Sequence, residues 1–218
     1  MRGFDTRRPQ NHCWDVWGHT AHAVDAIAPE SVLRLTMLFH DSGKPETFRY
    51  DAQAGFGRFP GHPAVSARIA DAALRALRCD NAARERVVTL VENHEMRTGH
   101  GKKDLRRLLA KIGEKNMRDL LLVRRADAAA HAPEAAVRLT ALADEDERIL
   151  HEITAERGCL HVKDLAVSGN DLLALGLKPG AAVGETLSRL LDLVLDEEVP
   201  NETGAMLAAA RKEMQTHE

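Results

Sequence analysis

Apolar residues recur along this chain with the period of an α-helix, and a few polar residues interrupt the apolar faces. Val16, Ala23 and Ile27 form a stripe that predicts a helix from Trp14 to Ala28, stopped by Pro29. The next segment, Glu30 to His40, carries Val32, Leu33, Leu35, Met37, Leu38 and Phe39 on every side of a helix, so it is expected to be surrounded by protein. Gly43 and Pro45 then stop it, which leaves His40 and Asp41 in its last turn. A charge buried there without a partner would be costly, so an imidazole and a carboxylate at this place imply a shared ligand.

An extended stretch follows. Phe48 and Tyr50 alternate with polar residues, Asp51 to Gly55 reads as a turn, and Phe56 to Phe59 returns as a second short strand. Further helices are expected at His62 to Arg78, Asn81 to Met96, Lys103 to Ile112, Lys115 to His131 and Pro133 to Arg157. Gly158 to Lys163 marks a boundary, after which Asn170 to Leu175, Val183 to Glu197 and Glu202 to Met214 form a smaller helical tail. The expected class is all-α, a helical bundle over residues 1–158 with a short β-hairpin insertion, followed by a helical tail over residues 159–218.

Composition narrows the choices. A net charge of -3, from 30 basic and 33 acidic residues, argues against a globally basic nucleic-acid binder but leaves room for a local basic patch. Cys13, Cys79 and Cys159 are far apart and form no CxxC pair, which fits a reducing compartment and excludes a thiolate zinc cluster. No signal-like or membrane-length apolar run is present, so a soluble cytoplasmic protein with no membrane partner is expected.

The candidate chemistry lies on the inward faces of the helices. His19 falls close to the stripe of Val16, Ala23 and Ile27, whereas His22 points away from it. His62 shares a face with Val65 and Ile69, His94 with Val87, Leu90 and Val91, and Asp127 sits behind Leu120 and Val123. Five predicted helices thus direct His19, His40, Asp41, His62, His94 and Asp127 toward the core. So many buried polar groups need a common partner, and divalent transition metal suits four neutral imidazoles and two carboxylates. Each residue alone has a plainer reading as a satisfied core group, and Asp127 has Arg124 and His131 within one turn as partners. His131 is also a candidate to support a ligand from behind.

In this order the residues resemble the HD-domain metal-dependent phosphohydrolase superfamily, whose pattern runs His, His-Asp, two further histidines in dinuclear members, and a distant Asp. Within it the chain is most similar to the HD region of bacterial CCA-adding tRNA nucleotidyltransferases and poly(A) polymerases. Matching stretches are Gln10 to Thr20, Leu38 to Pro45, Gly61 to Ala67, Leu90 to His94, Val123 to Ala129, Val167 to Gly176 and Val199 to Glu202. The resemblance implies an HD-domain bundle and two divalent transition-metal ions, of Fe, Mn, Co, Ni or Zn. Asp41 would bridge them, His19, His40 and Asp127 completing one and His62 and His94 holding the other. The catalytic head of those nucleotidyltransferases would precede Gln10, where this sequence has only nine residues, so addition of CCA by this chain alone is not expected.

The chemistry implied is hydrolysis of a nucleotide-type phosphomonoester or phosphodiester, a 2′,3′-cyclic or 2′-phosphate above all, by a metal-activated water. Asp41 and Lys44 are the candidate catalytic residues, and Lys44, one short turn beyond the ligand pair, is the candidate to contact the phosphate as a point charge. Arg68 and Arg124, a turn or two from ligands, and the basic run of Arg97, Lys102, Lys103, Arg106 and Arg107 are further candidates for a phosphate or an RNA backbone. Phe48, Tyr50, Phe56 and Phe59 would stack a nucleobase or plug a small core, and Gly55, Gly57 and Gly61 would let the hairpin move as a lid. Two other classes stand beside this one: a diiron oxygenase built on the same ligands, and a module that grips tRNA or other RNA through the basic run and the tail.

Overall fold

The computed structural model describes residues 13–95, 101–156 and 158–216. The described residues are all-α apart from one two-stranded hairpin, and the chain divides into two compact units. The first unit comprises residues 1–99 and 114–148, and the second residues 100–113 and 149–218. The units therefore interleave along the chain, unlike the single cut expected at residue 158.

In the first unit α1 (Val16–Ala26) begins at Asp15, whose carboxylate accepts from Gly18 N at 2.7 Å and so satisfies one of the amides exposed at a helix start. Its buried side chains are Val16, His19, Thr20 and Ala23, one face at helical spacing. Next come α2 (Ser31–Phe39), α3 (Lys44–Thr47), strands β1 (Arg49–Asp51) and β2 (Phe56–Arg58), α4 (His62–Ala76) and α5 (Asn81–Asn93). Then follow α6 (Lys102–Ala129) and α7 (Pro133–Ala155), both of which pass from one unit to the other. Gly113, at φ 79° and ψ 161°, breaks α6, so the two helices expected on either side of residue 113 are both present.

α4 packs on α5, α2 packs on both, and α1 packs on α2. Leu33, Met37, Leu74, Leu90, Leu120 and Leu121 are fully buried large side chains of this unit. α2 is not surrounded by protein as its sequence suggested: it buries Val32, Leu33, Thr36 and Met37 but leaves Leu38 40% exposed. Pro45 also departs from its expected role. Instead of only stopping α2, it occupies the first turn of α3, where its missing N–H costs nothing.

The hairpin pairs Arg49 with Arg58, Tyr50 with Gly57 and Asp51 with Phe56. Asp51 accepts from Gln53 N and Ala54 N in the turn and pairs with Arg58 at 2.6 Å, which fixes this short ladder.

α4 ends with Arg78 at φ 55°, where Cys79 N donates back to Leu74 O at 3.0 Å. This is a helix stop in the left-handed conformation that glycine fills without strain. Arg78→Gly is therefore expected to stabilise the protein by about 0.5–1 kcal/mol, the relief of left-handed strain exceeding the extra freedom of the unfolded chain. A denaturant titration that finds the variant no more stable than the parent would contradict it.

The second unit joins the first part of α6 and the last part of α7 to a 3-10 turn (Val162–Asp164), α8 (Gly169–Ala174), α9 (Ala181–Leu195) and α10 (Thr203–Thr216). Val167, Leu172, Leu190, Met206 and Ala210 form its core. Ser168 caps α8, its amide and hydroxyl both donating to Asp171 at 2.7 Å. Among the described residues no helix is long and apolar enough to cross a membrane.

Candidate metal centre

Helix ends build the centre. His40 and His94 cap the C-termini of α2 and α5, where carbonyls lack partners within the helix. Each uses such a carbonyl: His40 Nδ1–H donates to Met37 O and His94 Nδ1–H to Val91 O, both at 2.6 Å. His62, the first residue of α4, donates from Nδ1 to Phe59 O at 3.1 Å, and His19 on α1 donates to Ala130 O at 3.2 Å. Four carbonyls thus hold four imidazoles in the same tautomer, with the lone pair on Nε2.

The four Nε2 atoms converge. His19 and His40 face each other at 3.3 Å, and His62 and His94 at 3.2 Å. Asp41, 2% exposed, lies between the pairs. Its Oδ2 is 3.4 Å from His40 Nε2 and 3.8 Å from His19 Nε2, while its Oδ1 is 3.2 Å from His62 Nε2 and 3.8 Å from His94 Nε2. Asp127 approaches from α6, with Oδ1 at 2.8 Å from His19 Nε2 and 3.5 Å from His40 Nε2. The structure therefore brings His19, His40, Asp41, His62, His94 and Asp127 to one place.

Lone pairs facing one another and carboxylate oxygens at these distances repel unless positive charge sits among them, so the donor set fits divalent cations. His19, His40 and Asp41 form one group able to hold a metal ion, and Asp41, His62 and His94 form another. The electrostatics point the same way. Burial would push the Asp41 and Asp127 carboxyls up, yet His40 and Lys44 hold Asp41, and His19 and His40 hold Asp127, well below the usual carboxylate range. Burial likewise opposes charge on His40 and Lys44, but the Asp41 and Asp127 carboxylates together outweigh it and both lie above their ordinary values. At His94 and His131 burial dominates and lowers the pKa.

A cleft of about 140 Å³ opens onto this cluster, lined by Asp41, Lys44, His62, His94, Asp127 and, at its edge, Glu95 and His131. Lys44 Nζ donates to Asp41 Oδ2 at 2.6 Å and lies 5.6 Å from the centre of the Phe59 ring. Phe59 packs against Phe48, ring centres 5.7 Å apart, so part of the aromatic hairpin stands beside the Lys44 ammonium. A wider groove, of about 490 Å³, lies in the second unit, where Arg189 faces Glu213 at 3.5 Å. It has no converging histidines.

The other cationic candidates have acidic partners. Arg68 bonds Glu46 at 2.8 Å, and the Arg124 guanidinium is paired with Asp146 of α7, not with Asp127. Within the second unit Lys102 pairs with Glu156, Lys103 with Asp196 at 2.9 Å, Arg106 with Glu197 at 2.6 Å and Arg107 with Asp196 at 2.5 Å. Among the described residues the basic run is thus balanced by carboxylates from the end of α7 and the turn after α9, and these four cations are not an open row of positive charge. Arg97 lies outside the described residues.

Fold and site together define an all-α protein with a buried histidine and aspartate centre able to hold divalent metal. The chain belongs to the tRNA nucleotidyltransferase domain 2 family, whose sequence profile matches residues 64–210. It is 36% identical over 187 residues to the CC-adding tRNA nucleotidyltransferase of Thermus thermophilus, covering 83% of this chain and 41% of that one. It is 31% identical over 194 residues to the A-adding tRNA nucleotidyltransferase of Deinococcus radiodurans, covering 83% of this chain and 43% of that one. The chain spans about two fifths of the length of the curated relatives it matches.

Proposed function

We propose that the first compact unit is an HD-type metal-dependent phosphohydrolase, acting on a nucleotide-type phosphomonoester or phosphodiester in a cytoplasmic, tRNA-related setting. The observation that carries it is the division of Asp41: one oxygen toward His19 and His40, the other toward His62 and His94. A carboxylate so placed suits a bridge between two divalent ions, with His19, His40 and Asp127 on one side and His62 and His94 on the other. Bound there, such ions would lower the pKa of a water and offset charge on the phosphoryl oxygens.

The remaining steps belong to side chains. Lys44, 12% exposed and lining the cleft, is placed to donate to a phosphoryl oxygen as a point charge. Phe48 and Phe59 form an apolar wall beside it that can exclude water and take the face of a base. We take RNA ends as the source of substrate, in keeping with the tRNA nucleotidyltransferase names of the relatives, with a 2′,3′-cyclic or 2′-phosphate as the favoured group. Residues 159–218 would then be the helical tail of this tRNA nucleotidyltransferase-like architecture and contribute to RNA contact.

The test is elemental analysis of protein purified without added metal, followed by assays on 2′,3′-cyclic and 2′- and 3′-nucleotides with Mn, Co, Ni, Fe or Zn. Metal near stoichiometry and chelator-sensitive hydrolysis of at least one ester are expected. Chelator-indifferent, salt-sensitive tRNA binding with no hydrolysis would favour the RNA-binding reading and sink this one.

A further inference from the structure

We infer that His131 is an additional metal ligand on the His19 side of the centre, making the two cation positions unequal, one richly and one sparsely coordinated. This rests on the metal-dependent reading above. His131 stands one turn beyond Asp127, half-buried, and lines the same cleft. Its Nδ1–H donates to the Asp127 carbonyl at 2.8 Å, the same use of a main-chain acceptor as at the other four histidines, so its lone pair also lies on Nε2. Its ring is edge-on to that of His19, centres 5.0 Å apart. His19, Asp127 and His131 each offer a donor atom, and the three lie within 4.8 Å of one another.

A limit on His19 turns this group into an asymmetry. The Nδ1–H of His19 is committed to Ala130 O, and its Nε2 has one lone pair, so His19 can serve one cation only. The His19, His40 and Asp41 group and the His19, Asp127 and His131 group therefore describe one position, not two. That position draws on three imidazoles, Asp127 and Oδ2 of Asp41. The other draws, among the described residues, on His62, His94 and Oδ1 of Asp41. Transition ions that take about four to six ligands are nearly closed in at the first position and keep open places at the second, where water and a phosphoryl oxygen can enter. The His19 side would thus hold an ion the more tightly, and the His62 side would leave room for a substrate ligand.

Calorimetric and visible-absorption titration of the metal-free full chain with Co(II) tests this. Two affinity classes are expected. His131→Phe should weaken the tighter class by more than about tenfold, the least that even an outer supporting partner contributes, and change its Co(II) spectrum, while the weaker class stays as it was. His131→Asp, which restores an oxygen donor, should recover most of the tight binding, and that recovery separates ligation from a folding defect. Equal affinities and spectra in wild type and His131→Phe, or an equal loss in both classes, would overturn the inference while leaving the dinuclear reading intact. Absence of any Co(II) binding to the wild type would remove both.

Discussion

Asp41→Ala is expected to strip divalent metal from the His62 side of the centre, weaken its hold on the His19 side, and reduce phosphoester hydrolysis by about 10³-fold or more. Asp41 is shared by two of the three metal-capable groups, and each of its oxygens serves a different pair of histidines. Metal contributes several kcal/mol of charge stabilisation to such reactions, and each 1.4 kcal/mol or so is worth about a factor of ten in rate. The variant also removes the acceptor of Lys44, so Asp41→Asn is the better comparison, since it keeps an acceptor oxygen and the side-chain volume. Both variants should hold less metal than the parent by elemental analysis, the His62 side emptying first. Stoichiometric metal at both positions with near-normal turnover in folded Asp41→Asn would end the assignment of a bridging role.

Gly43→Ala should have the second largest effect although Gly43 offers no ligand atom to the centre. A methyl group at Gly43 would lie 2.7 Å from both His62 O and Ser66 N and 2.9 Å from the Val65 Cβ. Two of those atoms belong to the backbone of α4 and cannot swing aside. The amide of Gly43 also donates to Ser66 Oγ at 2.8 Å, locking the turn after Asp41 onto the start of α4. Forcing the two apart costs about 1–3 kcal/mol, the usual range for overpacking, and shifts His62 relative to Asp41. Thermal unfolding should therefore fall and metal affinity with it. A variant as stable as the parent with unchanged metal content would show that this contact is not what sets the His62 to Asp41 distance.

The convergence of His19, His62 and Asp127 was legible because each lies on the apolar stripe of its own helix, and burial of that stripe directs the polar residue with it. His40 and His94 were legible by the same reasoning at helix ends. Pro45 was not, because a proline after a glycine fits both a stop and the first turn of a new helix. The basic run misled for a different reason. The carboxylate that bonds Arg106 stands 91 positions away at Glu197, and the one that bonds Arg124 stands 22 positions away on the next helix. Charge patterning sees neighbours in sequence, so it registers an excess where the fold supplies compensation. The splitting of the Asp41 oxygens between two histidine pairs depends on a side-chain torsion that no spacing encodes.

The interleaving of the two units bears on how this architecture can be dissected. A protein shortened after residue 158 would retain Lys103, Arg106 and Arg107 but lose Asp196 and Glu197, leaving a cationic helix segment where the intact chain has balanced pairs. Such a fragment would bind polyanions through charges that the whole protein keeps occupied. Truncation and limited proteolysis are thus poor ways to assign nucleic-acid affinity to either unit, and point substitutions in the full-length chain are the sounder instrument.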